Sequence, residues 1–534
     1  MFGYPRVIYV GYVVATLLLG LVLALFAPHW LWLWLILAAL AVVGAFDLRS
    51  QANVLRNFPI LGHLRYMLEF MRPELRQYFF ESETSGRPFS REQREIVYSR
   101  AAGRGDTSPF GTIRDYEDAG YNFTMHSMAP RTVDKRHARL IIGNDQCRQP
   151  YDSSRLNISA MSFGSLSANA VAAMNRGAAL GQFAQDTGEG AISDHHREHG
   201  GDLIWEIASA YFGCRTEDGD FDPDEFARKA NTDQVKMIEI KISQGAKPGH
   251  GGLLPGSKVT EEIARVREIE AGQDCQSPAT HSQFDTPIGL LQFVARLREL
   301  THGKPVGFKL CLGRRSEFMG ICKAMVETGI VPDFITVDGA EGGTGAAPAE
   351  FSDFVGTYIN DALPFVHACL VGIGVRDRVT VIASGKVVMG FDMVLKIALG
   401  ADMCNAARAF MFSVGCIQAR RCHTDTCPTG VATQDRHRGA AVDVMAKSLH
   451  VRNFHHATID SFLDIVGTMG LDSPDDLTLA HIQHRPEHGH AATFADIEPA
   501  VVAGDFLEDR IPDVYREDWS MASAASFAPL RGRP

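Results

Sequence analysis

Residues 379–435 read VTVIASGKVVMGFDMVLKIALGADMCNAARAFMFSVGCIQARRCHTDTCPTGVATQD. A β-branched run ends at Ser384-Gly385-Lys386, a longer apolar stretch follows, and a second short run closes at Asn405. A strand, a helix and a strand in that order imply a parallel α/β arrangement, since parallel neighbours need a crossover between them. The chain then passes through Cys416, Cys422 and Cys427, spaced C-x5-C-x4-C and closed by Pro428 and Gly430. Soft sulfur ligands this close together suit iron or zinc. A CxxC zinc knuckle is not available at this spacing. Three buried, unliganded cysteines are the alternative reading.

The same alternation recurs upstream. Residues 156–163, LNISAMSF, form an apolar run before Gly164, and Leu166, Ala170, Ala173 and Met174 mark one face of the helix after it. Further strands are expected at residues 235–242, 305–310 and 334–337. Gly, Ser, Asp, Lys or Arg stands at or just past each end, which is where parallel α/β folds place their chemistry.

Over residues 156–485 the chain resembles the synthase domain of glutamate synthases. Ser162-Phe163-Gly164-Ser165 is similar to that family's MSFG turn, and Thr187-Gly188-Glu189-Gly190 to its TGEG loop. Residues 244–258, QGAKPGHGGLLPGSK, resemble its QGAKPGEGGQLPGHKV segment. Residues 338–345 and the run quoted above match further motifs. The resemblance implies an α/β fold of (β/α)8 TIM-barrel type binding FMN, over residues 151–485, with a [3Fe-4S] cluster held by Cys416, Cys422 and Cys427.

It also implies roles. Lys309, on the strand Val306-Gly307-Phe308-Lys309-Leu310, is a catalytic and flavin-binding residue that stabilises reduced flavin. Glu189 is expected to orient or protonate an imine. Ser162, Gly164, Gly343, Ser384, Gly385, Lys386, Asn405 and Arg408 would hold the cofactor, with its phosphate on backbone N–H groups after the seventh strand. Gln244, Lys247, Arg314 and Asp338 would meet the substrate, whose carboxylates suit lysine and arginine. The chain departs from the family at three places. Ala191 and Ile192 replace a glutamate after the TGEG loop, Gly313 replaces one beyond the Lys309 strand, and NAAR replaces a GFGT-like turn.

His195-His196-Arg197-Glu198-His199 formally matches an H-x-x-E-H zinc signature. That motif needs a helix, and Asp194, Gly200 and Gly201 favour a loop. Net charge is −11 with pI near 6.0, so there is no nucleic-acid footprint. The 10 cysteines are not arranged as a disulfide framework.

Residues 7–27 and 30–46 are apolar runs separated by Pro28-His29, and they predict a two-helix transmembrane anchor over residues 1–46. Arg6 precedes the pair and Arg49, Arg56 and Arg65 follow it, so both ends are expected to face the cytoplasm. Residues 47–150 read as a helical and irregular juxtamembrane region. Within it residues 64–80 form a helix restarted at Pro73, and residues 86–112 are linker. Residues 486–534 read as a partly ordered tail.

Full-length glutamate synthases begin with a glutaminase whose nucleophilic cysteine opens the mature chain, whereas Phe2 and apolar segments stand here. Ammonia is therefore expected from solution or a glutaminase partner. Electrons are expected from ferredoxin or a separate reductase. The expected reaction is reductive amination of 2-oxoglutarate to L-glutamate, with the barrel facing the cytoplasm below a membrane anchor. Two rivals stand beside it. One is an FMN oxidoreductase acting on another 2-oxo acid, an N-alkyl glutamate or a γ-glutamyl substrate. The other is a membrane-bound electron-transfer module without substrate turnover.

Overall fold

The computed structural model describes residues 4–528, so Phe2 and the last six residues lie outside the described residues. The chain divides into two compact units, residues 1–88 and 89–534. The larger unit is built on eight parallel strands that close into a barrel. They are β1 (Leu156–Ile158), β2 (Gln185–Asp186), β3 (Leu203–Ile207), β4 (Val235–Lys241), β5 (Val306–Leu310), β6 (Phe334–Asp338), β7 (Thr380–Ser384) and β8 (Met403–Ala406). The expected strands at 235–242, 305–310, 334–337, 379–383 and 402–406 sit within a residue or two of these, whereas the run 156–163 is strand only over Leu156–Ile158 and then turns toward Gly164. β2 and β3 were not anticipated.

Alternation along the strands sorts the side chains. Leu203, Trp205 and Ile207, Ile238 and Ile240, Ile335 and Val337, and Val381 and Ala383 face outward into the core shared with the helices. Ala184, Ile204, Met237, Phe334, Ile382 and Met403 form a separate apolar cluster, the barrel floor. Ile142 and Tyr151 join it from an antiparallel hairpin, Arg139–Ile142 with Tyr151–Ser154, that closes the barrel below. Two residues further along each of six strands stands a polar side chain: Asp186, Glu206, Glu239, Thr336, Ser384 and Asn405. The barrel therefore has an oily floor and a charged middle.

Residues 89–150 belong to the barrel unit. The expected linker contains a helix, Arg91–Ala101, begun by a capping box in which Ser90 and Gln93 satisfy each other's backbone N–H groups. That S-x-x-Q pattern was legible and outweighs the surrounding glycines. The C-terminal region is ordered as far as described. Its helix Asp513–Met521 packs Tyr515 against Phe365, and Lys323 Nζ donates to the carbonyls of Trp519 and Ala522.

In the smaller unit, helices α1 (Tyr4–Phe26) and α2 (Leu31–Asp47) form a hairpin. Segments of 22 and 20 residues in it are long and apolar enough to cross a membrane. Tyr12 Oη donates to the Leu37 carbonyl at 2.7 Å, and Trp34 Nε1 to the Thr16 carbonyl at 2.7 Å. These two bonds give the polar ends of Tyr12 and Trp34 partners on the facing helix. Helix α3 (Gly62–Leu75) runs through Pro73 rather than restarting there, and Arg76–Phe80 continues it as one π turn.

Candidate active site

Lys309, Glu206, Glu239 and Asp186 meet in the charged middle layer, each nearly excluded from solvent. The Lys309 ammonium donates to Glu206 Oε2 and lies 3.2 Å from Glu239 Oε2. Thr336 Oγ1 donates to the other Glu239 oxygen at 2.6 Å. Burial pulls the lysine down, but Glu206, Glu239, Asp186 and Asp338 outweigh it and keep it protonated. Asp186 and Glu239 are both pushed up, first by burial and then by neighbouring carboxylates. Two like charges this close do not both ionise readily. Among the described residues these three acids are the group with ligand atoms within 4.8 Å of one another, and the lysine already occupies their midst. Glu206, Glu239 and Asp186 were missed; a charge at alternate positions of a buried strand was the signal.

Above this layer, at the strand ends, the sign reverses. Lys241 Nζ donates to Glu189 Oε2 at 2.7 Å. Burial pushes the Glu189 carboxyl up, yet Lys241, Lys247 and Arg267 overcome it and hold it near 2. Gly252 covers this carboxylate so closely that a Cβ there would sit 2.0 Å from Glu189 Oε1. Lys247 is buried, with Nζ 3.3 Å from the Ala346 carbonyl, and burial draws it down to about 8. Ser162 Oγ donates to Ser165 Oγ at 3.0 Å, and Arg267 reaches Ser162 and the Phe163 carbonyl. Gly164 stands in the left-handed region, with φ +106°.

The loops after β4 and β6 lock together. Asp338 Oδ2 accepts the Gly245 N–H at 2.7 Å, and a Cβ on Gly245 would lie 1.7 Å from the Gly339 carbonyl oxygen. Gln244 is half-buried beside them. Arg408 crosses under Gly343, donates to the Glu341 carbonyl at 2.8 Å and stacks on Phe89. Burial lowers its guanidinium to about 10 against the pull of Asp338 and Glu341. Ser384 shares a hydrogen bond with Ser159 at 3.2 Å, and Asn405 is its register partner on β8. Asn405 Oδ1 is buried and meets no hydrogen-bond donor among the described residues. Gly385 and half-buried Lys386 follow directly, with Lys386 at φ +48°. Arg314 is exposed at the N-cap of helix Arg315–Thr328 and is not joined to Lys247 or Glu189 by a hydrogen bond or ion pair.

The three cysteines sit in one loop after β8. Burial pushes Cys416 up to about 12, with the thiols of Cys422 and Cys427 adding to it. Burial also raises Cys422. In Cys427 backbone N–H groups of Ala432, Thr429 and Val431, with the Thr429 hydroxyl, overcome burial and lower the thiol. Cys422 and Cys427 act on Cys416, and Cys427 on Cys422, so the three sulfurs lie near one another, and the N–H groups at Cys427 favour its thiolate, the form that binds metal. Tyr98 Oη donates to the Cys416 carbonyl at 2.8 Å, and Phe89 and Gln418 exchange two bonds. Buried Lys258 joins this loop to the first strand end. Its Nζ lies 2.9 Å from the Ser165 carbonyl, 3.2 Å from that of Cys422 and 3.4 Å from that of Ala432. Gln434 Nε2 adds bonds to the Gly164 and Leu166 carbonyls.

The H-x-x-E-H stretch is not assembled as a metal site. Asp194–Arg197 is a single helical turn, His195 Nε2 bonds Glu262 at 2.8 Å, and His196 is buried against Ser193 with its ring held near 3 by burial.

Residues 113–472 match a family described as a conserved region in glutamate synthase. The glutamate synthase large subunit-like protein YerD of Bacillus subtilis is 36% identical over 482 residues, 83% of this chain and 91% of that protein. An archaeal-type NADPH glutamate synthase of Thermotoga neapolitana is 34% identical over 320 residues, and the match spans 60% of each chain. The chloroplastic/mitochondrial ferredoxin-dependent glutamate synthase 1 of Arabidopsis thaliana is 34% identical over 266 residues, 48% of this chain and 16% of that one.

Proposed function

The chain belongs to the glutamate synthase family, and from that premise we propose that this oxidoreductase reductively aminates 2-oxoglutarate to L-glutamate on an FMN barrel. The observation that carries the reading is Lys258: one buried ammonium ties the cysteine loop to the turn at the first strand end. A redox centre and a flavin site need that adjacency.

Ser162, Gly164, Gly343, Ser384, Gly385, Lys386, Asn405 and Arg408 would hold FMN. The orphaned Asn405 oxygen and the cationic Arg408 fit a ligand with both donors and phosphate. Cys416, Cys422 and Cys427 would hold a [3Fe-4S] cluster. When bound, FMN supplies hydride transfer and the cluster supplies single-electron transfer.

The chain's own residues supply charge and protons. Lys241, Lys247 and Arg267 surround one carboxylate, so the mouth carries surplus positive charge that attracts a dicarboxylate. Lys247 Nζ, near 8, is the group at the mouth that gives a proton at neutral pH. Glu189, held near 2, stays ionised and orients an ammonia or imine N–H instead of protonating it. Asp338 fixes the two loops, and Gln244 completes the rim. Lys309 sets the charge of the middle layer from below. Arg314 is assigned to the outer rim, where it draws anions inward.

Ammonia is taken from solution or from a glutaminase partner, and electrons from a ferredoxin-type carrier, as the Arabidopsis relative's name indicates for that protein. α1 and α2 anchor the chain in a membrane, with the barrel on the cytoplasmic side.

The test is a steady-state assay. Purified protein, with flavin and iron counted, is reduced and given 2-oxoglutarate and ammonium. Glutamate is the expected product. A protein whose flavin cycles normally but which forms no glutamate overturns the substrate assignment.

A further inference from the structure

In the 62–80 segment, residues Leu64, Leu68, Met71 and Leu75 fall on one side of α3, and Arg65, Glu69, Arg72 and Arg76 fall on the adjoining side. Leu64, Met67, Leu68 and Met71 are each 43–53% exposed, and Phe79 and Phe80 are 76% and 80% exposed. A soluble surface does not ordinarily leave so many large apolar groups uncovered together. Arg65, Leu68, Glu69, Arg72, Leu75, Arg76 and Phe80 also line a cavity of about 580 Å³, open to the outside.

The place of this helix is set by its start. Asp47, the last residue of α2, is 4% exposed and accepts the Ile60 N–H at 2.9 Å. The same carboxylate bonds His63 Nε2 at 2.8 Å. At the same end of the hairpin, where α1 begins, Arg6 donates to the Arg56 carbonyl at 2.8 Å and to Asn57 Oδ1 at 2.7 Å. The first turn of α3 is thus fastened to the point where both apolar helices end. If those helices span a bilayer, α3 begins at headgroup depth.

We infer that α3 and its π turn lie along the bilayer surface, with the leucine and methionine side in the acyl boundary and Arg65, Arg72 and Arg76 binding anionic phospholipid headgroups. This rests on the membrane-spanning reading above. A helix with an apolar side flanked by arginines is the form that adsorbs to anionic lipid. Arg72 and Arg76 each have an acidic neighbour, Glu69 at 3.8 Å and Glu81 at 3.5 Å. Those contacts are long and solvent-exposed on the arginine side, so headgroup phosphates compete with them. Each arginine near an anionic surface is worth about five-fold in binding, so the three together amount to roughly a hundred-fold.

The test uses the full chain reconstituted into nanodiscs of phosphatidylcholine with phosphatidylglycerol, and into phosphatidylcholine alone. Amide hydrogen exchange of residues 62–80 and the lipid retained after detergent extraction are read. Expected are slowed exchange in the anionic discs and enrichment of phosphatidylglycerol over its bulk ratio. The Arg65→Gln/Arg72→Gln/Arg76→Gln variant should lose that enrichment by about five-fold or more. Leu64→Glu/Leu68→Glu/Met71→Glu should free the amides in both lipids. Retained lipid at the bulk ratio, or exchange unchanged by either variant, overturns the inference. Carbonate extraction separates the two readings: a chain that washes off the membrane refutes the spanning helices, whereas a chain that stays bound with unenriched lipid refutes only the surface helix.

Discussion

Lys309→Met removes the one cation of the middle layer and keeps most of its volume. At an effective dielectric near 20, a unit pair in hydrogen-bond contact, such as the Lys309 ammonium makes with Glu206, is worth roughly 5 kcal/mol before desolvation. Burying the ammonium offsets part of that. Breaking a buried pair by removing one partner typically costs 3–5 kcal/mol, because a charge is left unanswered, and about that loss is expected at neutral pH. The loss should depend on pH in a stated sense. Without the lysine, Asp186 and Glu239 lose the cation that pulls them down against burial and are raised further, so the folded variant holds more protons than the unfolded chain. Its stability then falls as pH rises above the ordinary carboxylate range. The gap between variant and parent should be small below about pH 4 and full near pH 7. Thermal unfolding in detergent across pH, with amide exchange on β3 to β5 as a local probe, reads both. A gap under about 1 kcal/mol at neutral pH, or one that widens on acidification, refutes the paired-lysine account.

Other substitutions test the remaining parts. Cys422→Ala should abolish bound iron and its visible absorption while leaving the far-ultraviolet spectrum unchanged; full iron retention would remove the cysteine loop from the redox site. Gly245→Ala places a methyl 1.7 Å from the Gly339 carbonyl oxygen, so the Asp338 bond should break at a cost of about 1–3 kcal/mol or more, seen as faster exchange of the Gly245 amide. Glu189 is held near 2 against an ordinary 4.5, so it contributes about 3 kcal/mol above that ordinary value, lost as pH falls from there toward 2. Glu189→Gln should be less stable at pH 7 by roughly that amount and converge with the parent on acidification; a gap independent of pH would mean the carboxylate is not held by its three cations.

Legibility followed the physics of each element. β4 to β8 were readable because long apolar runs end in polar turns, and the cysteine loop because three soft ligands share a short loop. β2 is two residues long and has no periodicity to detect. Glu206 and Glu239 were hidden for another reason. Alternation in a barrel strand tells which residues share a face, yet only closure tells that the face is an interior. The helix Arg91–Ala101 carried its own capping signal, but its function of bracing the cysteine loop is set by contacts more than three hundred residues away. Glu189 was picked out by its loop, while its fixed charge depends on Lys241, Lys247 and Arg267 arriving from three separate positions in the chain.

The two polar layers account for one another. The lower one sets three carboxylates against one ammonium, and burial resolves the excess by raising Asp186 and Glu239 toward their neutral forms. It therefore sends little negative charge upward. The upper layer sets Lys241, Lys247 and Arg267 around Glu189, with Asp338 and Glu341 beside Arg408 on the neighbouring loops, in a chain whose net charge is −11. Low dielectric between the layers would magnify any charge left in the lower one. Ionised, Asp186 and Glu239 would oppose the cations around Glu189. The raised Asp186 and Glu239 below and the cations around Glu189 above thus act in the same electrostatic sense, with Lys309 paired to Glu206 between them.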